Sequence, residues 1–251
     1  MADVPFHLTA LLLLFARVGA VSMLLPAFSE DVIPGRIRLL FGAGLALGLY
    51  GPLHNAVAPI ATAPAGLIAI LVAELMTGLA LGMIVRIIFQ AAAMAGAITS
   101  MQIGLSSALV FDPAQGGQAP LLSRFASVAA AVMCLSLNLH HLWIAAILKS
   151  YQAFPIGGLP SASSFAELAL RAVGQSMVIA LSLAAPMLAY GVLFNLALGL
   201  AARMAPAIQV FFIAQPLNIL LGLTLLATTV GVTFTTFADA MSGFFYQTGL
   251  G

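Results

Sequence analysis

Arg17, Glu74 and Arg86 stand inside long apolar runs, and Arg171 and Arg203 near the ends of others. An ionised side chain at a bilayer centre costs at least ~2.5 kcal/mol, so each is expected to face protein or water rather than lipid. Glu74 has two possible roles. It is either a proton-relay carboxylate or the structural partner of an arginine or a backbone group between packed helices. Arg86 cannot be that partner, because twelve helical residues place the two about 18 Å apart. His140 and His141 are adjacent, point about 100° apart on a helix and cannot chelate one ion; they are expected as hydrogen-bonded packing residues near a helix end. Cys134 is alone, which excludes an intrachain disulfide and a cysteine-based metal site. No Gly-x-Ser-x-Gly, His-Glu-x-x-His or intramembrane aspartate pair is present, and no nucleotide fingerprint. No enzyme, cofactor or metal is expected.

The elements that hold these residues must be membrane helices. Of 251 residues, 63% are hydrophobic and 6% charged, against roughly 25% charged residues in soluble chains. The net charge of +1, without a Lys/Arg cluster, excludes a nucleic-acid surface. The N-terminus lacks the basic region of a secretory signal, so the first apolar segment is expected to be retained. A hydrocarbon core of ~30 Å takes about 20 helical residues. On that measure six apolar regions appear, at 6–25, 39–53, 66–101, 125–148, 168–204 and 207–237. Lipid supplies no partner for open strands, so the predicted class is all-α, in one domain: a multi-helix membrane protein with long kinked helices and helical hairpins.

The third and fifth regions outrun one bilayer. A continuous helix over 66–101 would be about 53 Å long, too much for tilt alone. Either such regions are hairpins, or neighbouring subunits bury them. Pro186 and Pro216 should kink the fifth and sixth. Met76, Met83, Met94 and Met101 would share one face of a continuous helix, as core packing or as an adaptable gasket against changing partners. Gly44-x-x-x-Gly48 and Gly78-x-x-x-Gly82 predict close helix packing.

Residues 103–124, IGLSSALVFDPAQGGQAPLLSR, interrupt two apolar regions. Glycine and proline break helix here at Gly104, Pro113, Gly116, Gly117 and Pro120. The segment is too apolar for a solvated linker, and irregular backbone beside membrane helices is tolerated only in protein or against a watery cavity. A loop folded into a pore or cavity is expected, the alternative being an ordinary amphiphilic connector.

The whole chain resembles the FliR family, the flagellar type III export-gate subunits related to the T subunit of injectisomes. The resemblance rests on ordered blocks. They are RVGAVSMLLPAFSEDVIPGRIRLLFGAGLAL at 17–47, AELMTGLALGMIVRIIFQAAAMAGAITSMQIGLSSALVFDP at 73–113, NLHHLWIAAILKSYQAFPIG at 138–157, and AAPMLAYGVLFNLALGLAARMAPAIQVFFIAQPLNILLGL at 184–223. Ala207 and Gln209 depart from the pattern, as does Asn218, where a lysine commonly stands. The resemblance implies a structural pore subunit, with a P-like N-terminal and a Q-like C-terminal part. It implies assembly with P-type and Q-type gate subunits (FliP, FliQ) and an FlhB-type switch subunit, in the inner membrane within the flagellar basal body. Unfolded export substrates would pass, lipid would surround part of the chain, and no nucleic acid is involved. The family's plug loop corresponds to 103–124. Its gating residues would be Gly104, Leu105, Ser106, Ser107, Phe111, Asp112, Pro113, Gly116, Gly117 and Arg124, with Asp112 and Arg124 anchoring the ends. Arg17, Glu74, Arg86 and Arg203 would be buried charges. The alternative is a small secondary transporter or channel subunit that uses those charges.

Overall fold

The computed structural model describes residues 4–26, 28, 33–61, 66–105, 120–158, 162–205 and 209–249. Among them all regular structure is helical. Seven helices follow in order: α1 Val4–Leu24, α2 Gly35–Ala61, α3 Leu67–Ile103, α4 Leu121–Ser136, α5 His140–Ala153, α6 Ala162–Met204 and α7 Val210–Gln247. By length and composition α1, α3, α6 and α7 can each cross a membrane, and the bent pair α4–α5 makes a fifth span if taken as one.

Three expectations about the elements change. The long third and fifth regions are not hairpins. α3, α6 and α7 are single helices of 37, 43 and 38 residues, about 55–65 Å each at 1.5 Å per residue. Pro186 and Pro216 lie inside α6 and α7 without ending them. The second region does not stop at 53 but continues as α2 through Pro52 and Pro59 to Ala61. The carbonyls those prolines release belong to Gly48 and Asn55, both exposed, while the buried stripe of α2, including Leu49, Leu53 and Val57, is uninterrupted.

The fourth region, expected as one helix, breaks into α4 and α5 with a bend of 77°. Asn138 is the cause. It takes a left-handed conformation (φ 59°), while Asn138 N–H bonds to Leu135 O and Leu139 N–H to Cys134 O. That is a Schellman stop, with asparagine in the position glycine usually fills.

The chain divides into two compact units. The first comprises Met1–Ile88, Cys134–Gln175 and Met241–Gly251, and the second Phe89–Met133 and Ser176–Ala240. In the first unit Leu13, Leu14 and Val18 of α1, Ile84 and Ile88 of α3, and Ile147 of α5 are buried. Trp143, the single tryptophan, is 1% exposed, and its indole N–H has no partner. Cys134 is buried with its sulfur 3.7 Å from Met241 Sδ. Glycines set the spacing of α1. A Cβ on Gly78 would lie 2.5 Å from Arg17 O, and one on Gly82 would lie 2.9 Å from Leu24 Cβ. Across the other side of α1, a Cβ on Gly42 would lie 2.9 Å from Ser22 Oγ and 3.2 Å from Gly19 Cα. Among the described residues Gly44 and Gly48 meet nothing, so their motif packs none of the described helices.

In the second unit the core gathers Ile103, Leu122 and Met187, with Leu105, Ile219, Leu225 and Leu226 against it. Phe89 meets Phe237 edge-on at 5.9 Å between ring centroids.

Candidate functional site

Two polar constellations stand out, one in each unit. In the first unit α1 carries Arg17 and α3 carries Glu74, both fully buried. Arg17 Nε donates to Glu74 Oε2 at 2.7 Å, and Nη2 to Oε1 at 2.9 Å. The remaining guanidinium nitrogen, Nη1, donates to Ser150 O at 3.2 Å and Phe154 O at 2.9 Å, at the end of α5. Glu74 Oε1 also accepts Gly157 N–H at 3.1 Å, from the turn after α5, where Gly157 has a φ of 79°. The guanidinium carbon lies 4.1 Å from the centre of the Tyr151 ring. This bidentate pair ties three stretches of chain together at one point. Glu74 is thus the partner of an arginine and of a backbone amide at once. The pair is also the reason Gly78 must be glycine, since it draws α1 onto α3 one turn further along.

Arg86 and Arg203, expected as buried charges, are not buried by this chain itself. Arg86 is exposed on α3, and Arg203 is exposed in the last turn of α6, where a cation suits the helix dipole. Arg171 is exposed too and pairs with Glu167 one turn away at 2.6 Å, a contact worth little at a surface. The methionines are not core: Met76, Met83 and Met101 are 46%, 59% and 69% exposed, and Met94 is half-buried. His140 is not hydrogen-bonded through its buried Nδ1, which has no partner; its ring instead lies against His141. Among the described residues no group of three His, Cys, Asp or Glu could hold a metal ion.

The second constellation holds both roots of the segment predicted as the plug. Residues 106–119 lie outside the described residues, and with them Ser106, Ser107, Phe111, Asp112, Pro113, Gly116 and Gly117. Gly104, Leu105 and Arg124 are described. At the first root α3 ends in a Schellman motif, with Gly104 at φ 85°, Gly104 N–H on Met101 O and Leu105 N–H on Ser100 O. Two terminal carbonyls remain, and α7 supplies their donor. Asn218 Nδ2 reaches Gln102 O at 3.2 Å and Ile103 O at 3.1 Å, while Gln215 Nε2 reaches Gly104 O at 3.4 Å. Tyr190 of α6 donates to Asn218 Oδ1 at 2.8 Å and holds that amide in place. All four carbonyls that a helix end leaves open are thereby used. Small residues make room: a Cβ on Gly191 would strike the Gln102 side chain, and one on Gly222 would lie 2.5 Å from Ile103 Cγ1.

At the second root Ser123 Oγ donates to Ala93 O at 2.9 Å, and a Cβ on Gly96 would strike Leu122 O. Arg124, expected as an anchor, is exposed there, and the neutral Ser123 beside it makes the hydrogen bond to α3. Nothing in the sequence pattern marks Tyr190 or Ser123 as a site residue. Gln215 and Asn218 do carry a signal, because they share one face of an apolar helix at i, i+3.

Comparison with known proteins places these features. Residues 8–244 match the family described as bacterial export proteins, family 1. The chain is 39% identical over 225 residues to the flagellar biosynthetic protein FliR of Caulobacter vibrioides, covering 90% of each. It is 34% identical over 213 residues to that of Escherichia coli, covering 84% of this chain and 80% of the relative. It is 30% identical over 239 residues to that of Bacillus subtilis, covering 93% and 90%.

Proposed function

The chain belongs to the FliR family of bacterial export proteins, and on that premise we propose that it is a structural and gating subunit of a type III protein export gate. It forms part of the pore through which unfolded flagellar proteins cross the inner membrane, within the flagellar basal body. The observation that carries this is the extent of the match, residues 8–244 of 251. Its partners are P-type and Q-type gate subunits and the FlhB-type switch subunit, and its role is not catalytic. The N-terminal part is P-like and the C-terminal part Q-like.

Several physical features support a fixed frame around a movable closure. The ends of 106–119 are anchored by hydrogen bonds of Asn218, Gln215 and Ser123 to backbone carbonyls. The segment itself combines Pro113, Gly116 and Gly117 with a single charge, Asp112, which suits a protein-lined lumen. In this mechanism small residues let it pack when closed and move aside for an unfolded chain, and the energy comes from elsewhere in the apparatus. A small transporter that relays protons through Glu74 is disfavoured by geometry: both carboxylate oxygens are taken by Arg17, and one also by Gly157.

The test is deletion of residues 109–118 in cells expressing the full gate. The complex should assemble but leak, raising small-ion conductance, while bulky replacements at Gly116 and Gly117 should reduce secretion without leak. A deletion that assembles and conducts like wild type makes the segment a connector only.

A further inference from the structure

Arg86 stands near the middle of the 37-residue helix α3, more than about 20 Å along the axis from either end. Its side chain has no hydrogen bond or ion pair among the described residues and lies on the exposed side of the helix. The contrast with Arg17 is informative. In the same unit Arg17 has a bidentate carboxylate, two carbonyls and an aromatic face. The chain surrounds the buried guanidinium of Arg17 with partners and leaves the exposed one of Arg86 bare. Nor can Arg86 borrow the nearby acid, since Glu74 is already paired with Arg17 and is about 18 Å away along the helix.

The surroundings narrow what covers it. Exposed residues of α3 before Arg86 form a stripe at helical spacing: Ile68, Val72, Met76 and Met83, at 80%, 52%, 46% and 59% exposure. A water-filled lumen does not call for such a stripe, and acyl chains do not tolerate an unpaired guanidinium at mid-span. The length of α3 is also greater than a bilayer covers. An apolar face with one central cation is complementary to an apolar helix with one central carboxylate.

We infer that this stripe is an interface for a helix of another gate protein, and that Arg86 is met there by an aspartate or glutamate of that helix at the same depth. Arg86 is then the intermolecular counterpart of the Arg17–Glu74 pair. Methionines beside it adapt their shape to the partner's surface, while the guanidinium fixes register, because a shift of one helical turn leaves both charges unpaired in an apolar setting. The inference rests on the assembly part of the proposed function and is independent of residues 106–119.

The experiment uses the assembled gate purified from cells through a tag on this chain. A photo-crosslinking amino acid at Met83 leaves Arg86 intact and should capture another polypeptide, and the captured segment should contain an acid. Arg86→Glu should lower the recovered complex by about tenfold or more, and Arg86→Lys much less. Replacing the captured acid by lysine should restore the Arg86→Glu complex. A cysteine at position 86, in a Cys134→Ala background, should resist a membrane-impermeant cationic thiol reagent in the assembled gate. Rapid labelling there means an aqueous lumen and overturns the inference. So does an intact complex with no protein captured at Met83, which means lipid; in that case the assembly reading survives. A chain that purifies alone, with nothing captured, overturns both.

Discussion

Arg17 and Glu74 are buried together beyond the reach of bulk solvent, and this makes their mutual dependence testable. Glu74→Gln leaves a guanidinium in the interior with half its partner, and Arg17→Met leaves a bare carboxylate. Each single change should destabilise the folded chain by about 3–5 kcal/mol, whereas the double change Arg17→Met with Glu74→Met should cost less than either alone. Thermal unfolding of the detergent-purified complex, run as a double-mutant cycle, checks this. If Glu74→Gln assembles normally and loses only export, the carboxylate has a role beyond structure. The polar cap on α3 predicts a smaller effect. Asn218→Ala strips the donor from two terminal carbonyls and should cost about 1–3 kcal/mol. Tyr190→Phe, which only frees the amide to turn, should cost less. A lysine at 218 could still donate to those carbonyls but could not accept from Tyr190, so Asn218→Lys should fall between them. The sequence made Arg17 and Glu74 suspect as charges but could not join them, because 57 residues separate the two and no local periodicity relates α1 to α3.

Helices were legible where period and length agree, and obscure where a single residue decides. The apolar runs of α1, α3, α6 and α7 announce themselves, since an unbroken apolar stretch of about twenty residues is the length a bilayer demands. The break between α4 and α5 does not, because it depends on whether one asparagine adopts a left-handed conformation. Asn138→Gly should therefore keep the bend and leave stability near wild type, while Asn138→Val, strained at positive φ, should destabilise by about 1 kcal/mol or more. Melting midpoints of the two variants measure it. The Gly78–Gly82 motif was legible as close packing, yet an equal motif at Gly44 and Gly48 packs against none of the described residues. Spacing alone cannot tell which of two such faces finds a partner. At Gly78 a leucine meets Arg17 O and the Ala20 side chain, so Gly78→Leu should separate α1 from α3 and abolish assembly, whereas Gly48→Leu should leave the packing of α1 on α3 undisturbed.

At the scale of the molecule, much of the surface is apolar: Met204, Ile68 and Leu121 are 87%, 80% and 74% exposed. With helices longer than a bilayer is thick, lipid cannot cover it all, so the chain should be long-lived only in its hetero-oligomer. Native mass spectrometry that finds a stable, folded monomer would contradict this. The family was readable from ordered sequence blocks, whereas the make-up of the two compact units was not, because each gathers segments far apart in the chain. One consequence is optical. Trp143 is the molecule's single indole, it is sealed in the first unit, and its N–H bonds to nothing. Its fluorescence should be blue-shifted in the folded protein and should move to the red when that unit opens, whatever the second unit does. A change at Asn218 or Tyr190 that loosens only the second unit should therefore pass unseen in the emission spectrum, so that the protein carries its own selective lamp for one half of itself.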